Sequence, residues 1–142
     1  MVPRIAIALL LSAAFLGAAA AADLIDAFND WSAFAGAENG KKFCYAGSEP
    51  KKEAGDYKQR DETYLLVTHR PADNAFDVVS VTAGYTYKKG SEVTVTIGGE
   101  SFQMFTDGGL AWAHDAKADK ALVAAMRKGA SMTVAGTSAR GT

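Results

Sequence analysis

Residues 92–113 read EVTVTIGGESFQMFTDGGLAWA, and this stretch decides the fold. From Glu92 to Ile97 the chain alternates: Val93, Val95 and Ile97 fall on one side, Thr94 and Thr96 on the other. That is the period-two pattern of a strand with one buried face. Gly98-Gly99 follows. A tight primed turn needs positive φ at its central residues, which glycine adopts without penalty, so the pair predicts a two-residue hairpin. Counting outward sets Val95 opposite Phe102 and Val93 opposite Met104, with Thr96 opposite Ser101 and Thr94 opposite Gln103. Apolar meets apolar and polar meets polar, a match that a slip of one residue would destroy. Asp107-Gly108-Gly109 turns the chain again into Leu110–Ala113. Any even-length loop there places Trp112 on the face of Gln103 and Phe105, opposite Phe102 and Met104. That face carries large aromatics among polar neighbours and needs a cover or a partner.

Downstream, a helix is the expected cover. Asp115 is a good N-cap, Ala116 to Lys128 contains no breaker, and Gly129 stands at the C-cap. Ala118, Leu122, Ala125 and Met126 share one face, so Trp112 is expected to pack under Leu122 and Met126. A last strand is expected at Ser131–Ala135. Upstream, Thr63–Arg70 is rich in β-formers and stops at Pro71. Phe76–Ala83 follows after a connection of hairpin length, and Tyr85-Thr86-Tyr87 leads into a turn at Lys88-Lys89-Gly90. Gly47–Glu62 is polar and charged and reads as a long exposed loop. Phe43-Cys44-Tyr45 reads as a short strand and Gly36–Lys42 as a loop. Asp23–Trp31 is expected to open as a short helix and then extend, with Trp31 and Phe34 starting the core signal.

Met1 to Ala22 has another character. One arginine, Arg4, precedes an apolar run from Ile5 to Leu16, and Ala20-Ala21-Ala22 stands before Asp23. This is the pattern of a secretory signal peptide with a small-residue cleavage site. The run reaches the lower limit for a membrane span of roughly 17–25 residues, but its last third is weakly hydrophobic alanine and glycine. Cleavage is therefore preferred over retention as an anchor, and no membrane span is expected afterwards. Residues 23–142 then form a single domain of 120 residues, enough to bury roughly two thirds of the unfolded surface. The whole chain carries 15 basic against 16 acidic residues, and near-neutrality argues against nucleic acid as a partner. Cys44 is the only cysteine, so there is no disulfide framework within the chain. It reads as a small buried hydrophobe; an intermolecular disulfide or a reactive thiol is the alternative, and no histidine lies near it in sequence.

Trp31, KKFCYAGSEPKK (41–52), YLLVTHRP (64–71), VVSVTAGYTYKKGSEVTVTIGG (78–99), FQMFTDGGLAWA (102–113) and DKALVAAMRKGASMTVAGTSARGT (119–142), in that order, resemble the invasion-associated locus B family of exported bacterial proteins. The resemblance implies an all-β fold, an antiparallel β-sandwich of immunoglobulin-like type with one short helix near the C-terminus. It implies residence in the periplasm, or secretion to the outer surface, of a Gram-negative bacterium. It implies no established enzyme activity and no cofactor. Some relatives carry a further cysteine soon after the first tryptophan, where this chain has Ser32, Ala33, Phe34 and Ala35. Relatives also continue past the segment G-T-S-x-R-G-T into another strand, so either the sequence is a fragment or this member lacks a C-terminal edge strand.

Chemistry-bearing residues are sparse. His69 and His114 are the only histidines, and neither has a second ligand at metal-binding spacing, even with Asp73, Asp77 or Asp115 considered. Gly136–Thr142 has glycines five apart but lacks the lysine and following helix of a phosphate loop. No serine sits in a G-x-S-x-G elbow. No catalytic, metal or cofactor-binding residue is therefore assigned, and an enzyme is not expected. His69, Arg70, Trp112 and His114 close strands, where loops gather and partners dock, and are the candidate contacts for a protein or other envelope component. The expected role is binding or host interaction. An envelope-stress or chaperone-like structural role is the alternative, and a hydrolase with a loop-borne site ranks third. An open strand edge would also allow self-association. The leader reading has a direct check: the intact mass of protein recovered from the periplasm should match a chain starting at Ala22 or Asp23, and a species retaining Met1 would refute it.

Overall fold

The computed structural model describes residues 21–142. The expected leader, apart from its last two residues, lies outside the described residues. Strands β1 (Ala22–Phe28), β2 (Trp31–Glu38), β3 (Lys41–Ser48), β4 (Tyr64–Arg70), β5 (Ala75–Thr82), β6 (Glu92–Ile97), β7 (Glu100–Asp107) and β8 (Leu110–Ala113) precede helix α1 (Ala116–Lys128) and strand β9 (Met132–Ala135). All pairings are antiparallel. The expected all-β class with one short helix near the C-terminus is what the chain adopts. The strands join in one continuous sheet in the order β1-β2-β3-β4-β5-β8-β7-β6-β9, so the pairing pattern does not carry the immunoglobulin-like sandwich label.

The β6–β7 hairpin has the register that the glycine pair dictates. Val95 faces Phe102, Val93 faces Met104, and Thr94 faces Gln103. Gly98 and Gly99 take φ of 55° and 85°. Gly108-Gly109 makes a second two-residue turn, pairing Asp107 with Leu110 and Phe105 with Trp112. The first third of the domain departs from expectation. Residues 22–28 form a strand, not a short helix, and the expected loop at 36–42 is the tip of the β2–β3 hairpin. Asn39 and Gly40 turn it with φ of 51° and 76°. Asn-Gly between alternating residues is a strong hairpin signal; the small residues Ala35, Gly36 and Ala37 obscured it. Pairing with β2 then overrides the helical preference of residues 23–28.

The sheet curls strongly. Strands lie about 4.8 Å apart, so β2 and β9, seven places distant, would be separated by roughly 34 Å in a flat sheet. Both nevertheless line one cleft, together with β4 and α1. The concave side holds the core: Leu65, Val79, Val81, Val93, Val95, Ile97, Met104 and Ala111 pack with Leu122 of the helix. Met104, Val93 and Val95 are fully buried, while Phe102 is only half-buried.

The helix therefore covers the opposite face from the one expected. Leu122 and Met126 pack against the Met104 side. Trp112 points to the convex side, between Ser80 and Phe105, and Phe105 stays 41% exposed. The reason lies at the end of β8. This strand stops at Ala113 while β5 continues back to Ala75, so the Val79 amide has no strand to bond. Asp115 caps the helix, its carboxylate accepting from the Ala118 amide at 2.7 Å. One turn on, the Asp119 carboxylate accepts from the Val79 N–H at 2.8 Å. The helix thus replaces the missing strand from the concave side. Gly129 ends it at φ −81°, outside the left-handed region; its lack of a side chain instead admits Ile97 close against its backbone.

Burial raises the Asp119 carboxyl pKa; the Val79 amide opposes this, and Asp115 and Asp77 reinforce it. A raised folded-state pKa means that the native state holds its proton longer than the unfolded chain. The stability this adds is fully present below the ordinary carboxylate pKa and is lost as pH rises through the folded value. Asp119→Asn keeps an oxygen for Val79 and removes that loss. Its urea midpoint relative to wild type should therefore rise between pH 4 and pH 7. Asp119→Ala, which orphans the Val79 amide, should cost about 1–3 kcal/mol.

Candidate functional site

The four residues singled out from the sequence lie near one end of the sheet, where β4 finishes, β5 begins and β8 runs out. They do not form one site. His69 faces the concave side, with its Nε2 3.6 Å from Asp77 Oδ1 and its ring edge-on to Phe76. Arg70 turns the other way, 3.4 Å from Glu38 and with its guanidinium 5.1 Å from the centre of the Phe43 ring. Trp112 lies on the convex face. His114 makes a 2.7 Å contact with Glu92 and packs beside Phe105. Only His69 lines the concave cleft.

Cys44, 25 residues away in sequence, is the direct cross-strand partner of His69. It is a free, half-buried thiol on the cleft wall. The sequence concealed this neighbour because β3 and β4 are joined through the long segment that follows Ser48. Cys44, His69 and Asp77 do not converge tightly enough to bind an ion: no group of three or more His, Cys, Asp or Glu side chains suited to a metal occurs among the described residues.

The cleft itself has a volume of about 1550 Å³, above the roughly 300–1,000 Å³ common for ligand pockets. Its apolar wall comes from alternate positions of the curled sheet and from the helix: Trp31, Val67, Val123, Met126 and Met132 are half-buried there beside the closed core. Such a wall, neither sealed by packing nor covered by polar groups, is where an apolar ligand gains most from leaving water.

One end of the cleft is built by the segment read from sequence as a plain exposed loop. Residues 49–63 run as a strap with no strand of their own, and Arg60 pins the strap down. Its Nε donates to the Ala83 carbonyl at 2.8 Å, and its guanidinium carbon lies 5.1 Å from the Tyr85 ring centre and 5.6 Å from that of Tyr57. Asp61 N–H donates to Gly84 O at 3.0 Å, and Thr63 Oγ1 donates to Ala83 O at 3.1 Å. Gly84 has φ of +71°, and a side chain there would collide with the Asp61 carbonyl. Glycine at 84 is thus what lets the strap approach.

The C-terminal segment closes the same region. Lys88 N–H donates to Thr137 O, Ala139 N–H donates to Thr86 O, and Tyr87 forms a bridge with Ser138. A Cβ on Gly136 would lie 2.5 Å from the Tyr87 ring. The G-Y-x-Y and G-T-S-x-R-G-T stretches, far apart in sequence, therefore meet here. Burial pushes both phenols upward: Tyr85 against the lowering effect of Arg60, and Tyr87 with further help from Tyr85 and against Arg60. Both phenols are thereby held in the neutral form, and the two rings meet edge-to-face on the cleft lining.

No helix among the described residues is long and apolar enough to cross a membrane. A family model described as Invasion associated locus B (IalB) protein matches residues 31–142. No curated protein and no solved structure matches the chain.

Proposed function

The chain belongs to the invasion associated locus B family, and from that membership we propose that it works outside the cytoplasm, in the periplasm or at the outer surface, as a non-catalytic binding protein whose working surface is the concave cleft. The family is not one of known enzymes. The observation that carries the reading is the open apolar wall of Trp31, Val67, Val123, Met126 and Met132 in a cleft of about 1550 Å³. The leader-like segment supports export. Of the strand-end residues, His69 belongs to this surface; Arg70, Trp112 and His114 are left for contacts on the outside of the sheet.

Cys44 gives a direct test, because it sits on the cleft wall. A neutral apolar dye such as Nile red should bind saturably, at one molecule per chain, and should slow alkylation of the Cys44 thiol. Val67→Arg should abolish both effects. Dye binding that is unsaturable, or that leaves the alkylation rate unchanged, would refute the cleft as the working surface.

A second reading, a chaperone-like or self-associating role, is favoured by β1. Among the described residues this edge strand pairs only with β2. Leu24, Ile25 and Phe28 on it are 59%, 63% and 59% exposed. An open apolar edge is a template for another strand. Light scattering should then show a mass that rises with concentration and falls back to monomer in Ile25→Lys; a monomer throughout would dismiss this reading.

A further inference from the structure

The cleft has a long apolar wall with charged groups of both signs around it, among them Asp77 beside His69 at one end and Glu53 and Arg60 at the other, and of these Arg60 is held in a fixed posture. Arg60 is clamped between Tyr57 and Tyr85, with its side chain only 15% exposed. Its Nε is committed to the Ala83 carbonyl. The nearest carboxylate, Glu53, stands 4.0 Å from that same Nε, beyond hydrogen-bonding reach. Among the described residues no acceptor is bonded to the two terminal nitrogens, yet neither is buried away from solvent. An arginine whose fork is immobilised by its own ring neighbours, with both outer nitrogens free, is pre-organised for bidentate capture of a carboxylate or phosphate. Arg140 lines the same cleft and follows Ala139, whose amide bonds to Thr86, one residue from Tyr85. It is another arginine on the cleft lining.

From this end the trough follows β4. Thr63 is tied to Ala83 beside Arg60, and His69 lines the far end. Six residues at about 3.3 Å each give roughly 20 Å. The wall between includes Leu65 and Val67, with Val123 and Met126 of α1 also lining the cleft. A compact ligand would leave most of that wall wet. A neutral apolar ligand would leave the Arg60 fork without an acceptor in a partly desolvated site, which is costly.

We propose that the cleft is a binding site for a single-chain anionic amphiphile, a long-chain carboxylate, with its head on Arg60 and its chain along the apolar trough. This rests on the cleft being the binding surface and goes on to name what the cleft selects. The step is association only; no bond is made or broken.

The two tryptophans make the test clean, because Trp31 lines the cleft and Trp112 does not. In full-length exported protein carrying Trp112→Phe, Trp31 emission should respond saturably to palmitate at one molecule per chain. Hexadecanol, which has the same chain and no charge, should bind at least tenfold more weakly, and octanoate, with the same head and a short chain, should also bind at least tenfold more weakly. Arg60→Gln should weaken palmitate tenfold or more and hexadecanol far less, so that the preference for the charged head is lost, and Arg60→Lys should recover part of that preference. Equal affinity for palmitate and hexadecanol would overturn the carboxylate assignment while leaving the cleft a binding surface. Equal affinity for palmitate and octanoate would overturn the long chain. If palmitate is not bound while Nile red still protects Cys44, the amphiphile is wrong and the cleft reading stands. If neither binds, both fall. Hexadecyl phosphate binding more tightly than palmitate by tenfold would replace the carboxylate with a phosphate head.

Discussion

One buried hydrogen bond fixes the side on which the helix lies. β8 is too short to pair with the first half of β5, so the Val79 amide would be an orphan inside the core. Leaving such a group unbonded costs more than an ordinary hydrogen bond gains. Asp119 satisfies it, and the helix that carries this carboxylate lies on the concave side. Once the helix is so placed, Leu122 completes the packing around Met104 and Val93. Val123 and Met126 then face the rest of the hollow and become its wall. The site is thus a by-product of a strand that ends early.

The strap and the C-terminal segment finish what the helix begins. Neither has much regular structure, and each is held by backbone bonds to residues 83–88. Arg60 is central because it makes three kinds of contact at once: a hydrogen bond to a carbonyl, stacking on two rings, and a loose electrostatic approach to Glu53. The exposed ion pairs elsewhere, such as Lys41–Asp73 and Lys51–Asp30, lie in high dielectric and contribute little to stability.

The local pattern was legible wherever alternation and turn chemistry agreed. Val93, Val95, Phe102 and Met104 could be paired from Gly98-Gly99 alone, and Asp115 and Gly129 marked the helix ends. The side of the sheet that the helix would cover was not legible. Large aromatics at Phe105 and Trp112 suggested that face, but the deciding factor was an unpaired amide at Val79, which no periodicity displays. Residues 22–28 formed a strand because β2 was there to pair with, a tertiary effect invisible in a nine-residue window. In the site, His69 was found because it ends a strand. Its neighbour Cys44 was missed because cross-strand adjacency ignores sequence distance. Arg60 was passed over inside a charged run, where nothing local separates a clamped arginine from a solvated one.

The order of the strands has a kinetic side. Most neighbours in the sheet are also neighbours in sequence, so β1 to β3, β4 with β5, and β6 to β8 can close over short loops soon after the chain emerges, while β3 and β4 close over the 49–63 strap. The exceptions are β5 with β8, β6 with β9, and the bridge from Tyr87 to Ser138. These long closures carry the larger loop entropy and depend on both hairpin blocks already being formed. The C-terminal side of the cleft is therefore the last part to assemble, and the cleft is a late product of folding. A chain that has lost its final residues would keep most of its sheet and lose its site.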